Sequence, residues 1–310
     1  MNPLLASLAG VWDKTDYCRI NRRQLRIVAR KFAHFDFVVP NWREPIFPEL
    51  DDDLFIEFLG ITNAINFCFA SPETGRKFDV EYPKGSGIIY YGSSAMTACV
   101  KQALDNGIPI LSPEYLENVS KKEVEEIFSH HANPMPMIAK RVEHLNNIGA
   151  TLLGIHEPTS FAKIFEDADY LLFNNSDGIV EKIIKNFTSY RDRGKWKGFK
   201  LLFYKRAQLL PMIYHGRALD SKGKLQLIRD TENFGVITDC AVPNAFRILG
   251  ILNYKKTLAK IIDSGTRITA DSQLEIEIRI ISAKNNAGFT RSNKLLQAQT
   301  WKAKNYNGRT

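Results

Sequence analysis

Four segments of this 310-residue chain set polar side chains among apolar ones, where burial is costly unless the group is used. In NFGVITDCAVPNAFRILGILNY (233–254), Asp239 sits in an apolar run just ahead of Pro243, a residue suited to the first turn of a helix. A carboxylate at that point is either a helix cap or a reactive group. In FYKRAQLL (203–210), Tyr204, Lys205 and Arg206 lie between aromatic and aliphatic residues. A lysine at a helix start suits a phosphate or a sugar; the alternative is a snorkelling lysine beside a structural arginine–carboxylate pair. In NAINFCF (63–69), a continuing helix would put Asn63, Asn66 and Phe67 on one face. Asn66 could then read a base edge while Phe67 or Phe69 stacks on a flat ring, or the segment is a packed helix whose asparagine caps a neighbour. In QLEIEIRIISA (273–283), Glu275, Glu277 and Arg279 alternate with isoleucines. Period two suggests a strand, yet Glu275 and Arg279 also make an i,i+4 helical pair, and a structural ion pair is the reading preferred there.

The elements that must hold these groups are mostly helical. Apolar spacing and caps predict helices over 22–35, 52–67, 93–106, 136–148, 160–172, 176–187, 205–214, 243–252, 255–264 and 271–284. Ser120 and Glu123 form a capping box opening a further helix through Phe128. RKFDVEY and GIIYYG, separated by PKGS, predict a hairpin, and FKLLFY is a short strand or the lead-in to the next helix. The sum is a mainly α-helical domain with a small β-hairpin element.

Composition narrows the chemistry. The net charge of +8, from 42 basic and 34 acidic residues, biases the chain toward an anionic partner. The basic stretches at 19–31 and 190–200 read as solvated faces, and the basic tail 302–310 as a mobile end. Cys18, Cys68, Cys99 and Cys240 show no CxxC spacing, Cys68 and Cys99 read as small buried thiols, and His130–His131 lacks an HExxH context, so no metal is expected. No GxGxxG, GxxxxGK[ST] or GxSxG motif occurs, which disfavours dinucleotide redox, P-loop phosphoryl transfer and α/β-hydrolase chemistry. No apolar run approaches the roughly 18 residues that would span a bilayer, and the first residues lack a basic leader, so a cytoplasmic protein is expected.

The segments NAINFCF, MPMIAKRVEHLNNIGATL, YRDRGKWKGFKLLFYKRAQLL, TDCAVPNAFRILGILNY and LEIEIRIISA, in this order, resemble the queuosine salvage family over roughly 52–301. Its strongest signature is KRAQ at 205–208 followed by Asp239-x-x-x-Pro243. The resemblance implies one domain over 1–310, with N-terminal helices in roughly 1–50 and a mainly α fold similar to DNA glycosylases. It implies release of queuine from queuosine 5′-monophosphate, with Asp239 as catalytic carboxylate and Lys205, aided by Tyr204 or Arg206, on the ribose phosphate. Asn66, Phe67, Phe69, Ile237, Gln297 and Trp301 are the corresponding base-pocket candidates. Departures fall in that pocket: Ile237 stands where the family carries an aromatic, Ala70 where it carries Trp, and Gln297 where it carries Asp.

The implied reaction needs no metal or cofactor and takes a small-molecule nucleotide, with no stable nucleic-acid complex and no membrane. Breaking a C1′–N bond builds positive charge on the ribose, which a carboxylate in a dry pocket stabilises. Carbon at position 7 of a 7-deazaguanine closes the route of protonating N7, leaving the pyrimidine edge and stacking to carry the leaving group. The competing readings are an N-glycosidase for another nucleotide, a nucleic-acid-binding module, and a binding protein without catalysis.

Overall fold

The computed structural model describes residues 2–32, 35, 38–129, 131–154, 160–235, 237–238 and 241–292. Asp239, Cys240, Gln297, Trp301, His130 and the basic tail 302–310 lie outside the described residues. In chain order the helices are α1 (Pro3–Ala9), α2 (Arg22–Phe32), α3 (Asp53–Ala64), α4 (Ser93–Asp105), α5 (Pro113–Asn118), α6 (Lys121–Ile127) and α7 (Ile138–Leu153). They continue with α8 (Phe161–Asp167), α9 (Ile179–Asn186), α10 (Lys205–Asp220), α11 (Ala241–Ile248), α12 (Lys256–Asp263) and α13 (Gln273–Ser292). The strands β1 (Cys18–Ile20), β2 (Asp79–Glu81), β3 (Ile89–Tyr91), β4 (Arg193–Trp196), β5 (Phe199–Leu202) and β6 (Leu252–Tyr254) form the antiparallel pairs β1–β6, β2–β3 and β4–β5. The fold is mainly α. No helix among the described residues is long and apolar enough to cross a membrane.

The chain divides into two compact units, one of Met1–Val39, Asp192–Gln208 and Asp230–Thr310, the other of Pro40–Arg191 and Leu209–Arg229. In the first unit α13 is central. Ile276, Ile280 and Ala283 recur at helical spacing against Leu8, Val11, Trp196, Leu201 and Phe203. Ile281 faces Cys18, Leu252 and Leu258, with Leu274 and Ile278 beside it. A helix apolar on two faces mimics strand alternation, which is why 273–283 read both ways. Glu277, fully buried on this helix, accepts the Tyr17 N–H at 2.7 Å and the Trp196 Nε1–H at 3.1 Å. Its role is structural, since its oxygens are spent on fixed protein donors.

Several boundaries differ from the sequence reading for identifiable reasons. α11 stops at Ile248 rather than near 252, because Gly250 (φ 70°) closes a Schellman turn in which Ile251 N–H donates to Phe246 O at 2.9 Å and Gly250 N–H to Arg247 O at 2.9 Å. That turn frees Leu252–Tyr254 to pair with Cys18–Ile20, a contact between distant segments that local pattern does not announce. FKLLFY resolves as β5, the second strand of a hairpin with β4. α8 ends at Asp167, and Asp169 and Tyr170 take φ values of 49° and 54° that no helix accommodates.

In the second unit the predicted hairpin is present, with Asp79 opposite Tyr91, and so is the Ser120–Glu123 capping box. α3 is buried along Phe55, Phe58, Leu59 and Ile61 and starts from the cap Asp52. The helix-free run 40–52 is held by Arg217 of α10, 1% exposed, which donates to the carbonyls of Asn41, Trp42 and Pro48 and pairs with Asp51 at 3.2 Å.

α5 and α7 touch at Gly149, where an added Cβ would stand 2.1 Å from Glu117 N and 2.5 Å from the Pro113 carbonyl oxygen. Both obstacles are backbone, so neither can rotate away. Gly149→Ala is expected to lower stability by about 1–3 kcal/mol through overpacking. The measurement is the urea midpoint; an unchanged midpoint would show that α5 shifts freely.

Candidate active site

The ribose-phosphate candidates sit in the first unit, at the start of α10. β5 turns into this helix through Tyr204, whose φ of 44° is left-handed. Asp192 organises the turn. Its carbonyl accepts the N–H of Phe203 at 3.1 Å and of Tyr204 at 3.0 Å, and its carboxylate accepts the Lys205 N–H at 3.2 Å. That carboxylate also accepts from Arg279 at 2.5 Å, and the Arg279 guanidinium stacks 3.7 Å from the centroid of the Phe203 ring. Lys205 and Arg206 are half-buried. Tyr204 is buried and its hydroxyl accepts from Arg193 Nε at 2.8 Å, keeping its own proton to donate. Because Asp192 occupies the Lys205 N–H, that amide is not available to an anion at this helix start.

Gln208, the last residue of the KRAQ run, is buried and donates to the Phe203 carbonyl at 2.8 Å. It packs so closely under Gly235 that a Cβ there would fall 1.7 Å from Gln208 Oε1. Ile237 is half-buried, and Thr238 is 3% exposed with a hydroxyl that has no partner among the described residues. Thr238 borders a cavity of about 10 Å³, room for at most about one water. Asp239, the expected catalytic carboxylate, and Gln297 and Trp301 lie outside the described residues.

The base candidates Asn66, Phe67 and Phe69 are gathered in the second unit, but not on a helix face. α3 ends at Ala64, and the segment beyond it is irregular, with Cys68 half-buried at φ 44°. Arg141 of α7, 0% exposed, ties this segment down: its guanidinium takes the carbonyls of Phe67 and Cys68, as well as that of Pro136. The same guanidinium lies 4.5 Å from the Phe67 ring centroid and 5.5 Å from that of Phe69. Phe67 meets His144 edge-on at 5.4 Å. Asn63 does not join this group: it is buried and its amide donates back to Leu59 O at 3.0 Å. Asn66 is half-buried, its N–H directed to Asn63 O at 3.3 Å.

Arg141 is the residue that sequence reasoning missed. The available signal was its register, since Arg141, His144, Leu145 and Ile148 recur at spacings of three and four on one buried face. Arg141→Met would leave those main-chain carbonyls without donors, each worth about 1–3 kcal/mol when buried and unmet. We expect faster hydrogen exchange across 65–70 and lower stability in Arg141→Met. Arg141→Lys should not rescue, because a point ammonium cannot reproduce the planar fork; protection restored by lysine would show that charge alone holds the segment.

With this geometry in view, likeness to known proteins is specific. The family model described as Queuosine salvage protein matches residues 46–297. A Mus musculus protein named Queuosine 5′-phosphate N-glycosylase/hydrolase is 31% identical over 233 residues, which is 75% of this chain and 66% of that protein. A Sphaerobacter thermophilus protein of the same name is 29% identical over 276 residues, 89% of this chain and 81% of its own length. One from Bos taurus is 28% identical over 261 residues, 83% of this chain and 74% of its own. The matched span takes in the Arg141-held segment, the start of α10 and the run around Asp239. This chain belongs to the queuosine salvage protein family.

Proposed function

We propose that the protein hydrolyses the N-glycosidic bond of queuosine 5′-monophosphate, or of a close 7-deazaguanine nucleotide, and releases the free base for salvage into tRNA modification. One observation carries the reading: the span matched to the family, 46–297, contains all three candidate segments, and the relatives are named for this reaction. The division of labour follows from the chemistry. Asp239 stabilises the oxocarbenium-like ribose or orients the attacking water, as a carboxylate in apolar surroundings does best. Lys205, with Arg206 or Tyr204, holds the 5′-phosphate by a charge-assisted contact. Asn66, Phe67 and Phe69, with Ile237, Gln297 and Trp301, hold the base by its edge and its face. The mainly α fold is read as similar to that of DNA glycosylases, put to use on a mononucleotide in one domain.

Asp239→Asn should keep ligand affinity and lose about 10²–10³ in turnover. Mass spectrometry of products from queuosine monophosphate, queuosine, precursor deazaguanine nucleotides and ordinary purine nucleotides reads both the loss and the base preference. Full activity in this variant would remove Asp239 from the mechanism, and turnover confined to an ordinary purine nucleotide would replace the substrate.

A further inference from the structure

We propose that Arg279 and Asp192 form a positioning pair that sets the charge at the start of α10 and thereby favours a phosphate-bearing substrate over its nucleoside. This rests on the phosphate-end reading of Lys205 given above, and it gives Asp192 and Arg279 a part in that contact.

Asp192 shapes the turn that leads into α10. Its carbonyl and carboxylate together fix the N–H groups of Phe203, Tyr204 and Lys205. Tyr204 is held there in a left-handed conformation that costs a non-glycine residue about 1–2 kcal/mol, so the turn needs such an anchor. The anchor is itself an anion, placed at the backbone of the residue that is to meet a phosphate. Uncompensated, it would repel the ligand.

Arg279 supplies the compensation. It pairs with Asp192 at 2.5 Å and with Glu275 at 3.6 Å, its side chain 14% exposed, so solvent screens the charge poorly. Stacking on Phe203 at 3.7 Å fixes the plane of the guanidinium relative to the turn. Burial pushes the Glu275 carboxyl above its usual range, against the pull of Arg279. Formal charges of Asp192, Glu275, Arg279, Lys205 and Arg206 are −1, −1, +1, +1 and +1, a sum of +1 that falls to zero without Arg279. A dianionic phosphate feels that change, and a nucleoside presents no anion at that position to feel it.

The test compares wild type with Arg279→Met, Arg279→Lys and Asp192→Asn. One readout is the ratio of kcat/KM for queuosine 5′-monophosphate to that for queuosine. The other is calorimetric affinity for ribose 5-phosphate, which needs no turnover. Arg279→Met should lower both by about tenfold or more, with partial recovery in Arg279→Lys, which keeps the charge and loses the fork. Asp192→Asn keeps an acceptor for the Lys205 N–H while removing the anion, so its ribose 5-phosphate affinity should hold or rise. If Arg279→Met does not fold, the opposed directions of Arg279→Lys and Asp192→Asn make the same comparison. Equal losses on nucleotide and nucleoside with ribose 5-phosphate affinity intact would overturn the proposal and leave the proposed reaction standing. So would a wild type that does not bind ribose 5-phosphate. A wild type that binds ribose 5-phosphate in an Arg279-dependent way but cleaves no deazaguanine nucleotide would uphold the pair and sink the reaction.

Discussion

Buried main-chain carbonyls that no helix or sheet serves must find donors, and in the second unit guanidinium groups provide them. Arg141 serves the segment after α3, and Arg217 serves the helix-free run before it. An arginine suits this duty because one planar fork meets several acceptors at fixed angles. Each also lies over an aromatic ring, Arg141 on Phe67 and Arg217 on Phe55, which offsets part of the cost of taking its charge from water.

Carboxylates perform the complementary task for orphan amides. In the second unit Glu57 of α3 accepts the N–H groups of Phe161 at 3.1 Å and Ala162 at 2.8 Å, closing the start of α8. Burial raises the Glu57 carboxyl, and the two amides oppose that rise. In the first unit Glu277 joins Tyr17 and Trp196 to α13, and Asp192 closes the start of α10. These groups do the work of caps that local sequence would supply, but from far along the chain.

Segments tied down in this way suit the proposed chemistry. Stabilising charge that develops on a ribose requires groups already in place, since reorganisation during the reaction would raise the barrier. The candidate side chains Phe67, Phe69 and Lys205 stand on segments whose backbones are tied by Arg141 and Asp192.

Much of this was legible locally. The capping box at Ser120, the hairpin joining 79–81 to 89–91, and the alternation of helices follow from spacing and caps that act within a few residues. The identity of the candidate groups was also readable, because a lysine, a carboxylate and asparagines among apolar neighbours stand out wherever they fold. Other features depended on partners remote in sequence. The backbone after α3 is held by a guanidinium 73 residues beyond Cys68, and the pairing of β1 with β6 joins two segments with no local signal for each other. Residue types and short-range periods therefore marked the candidate groups and the local elements that carry them. Only tertiary structure decided how the segment after α3 runs, which strands pair and which charges meet, because those outcomes turn on burying polar groups against donors and acceptors that sequence distance conceals.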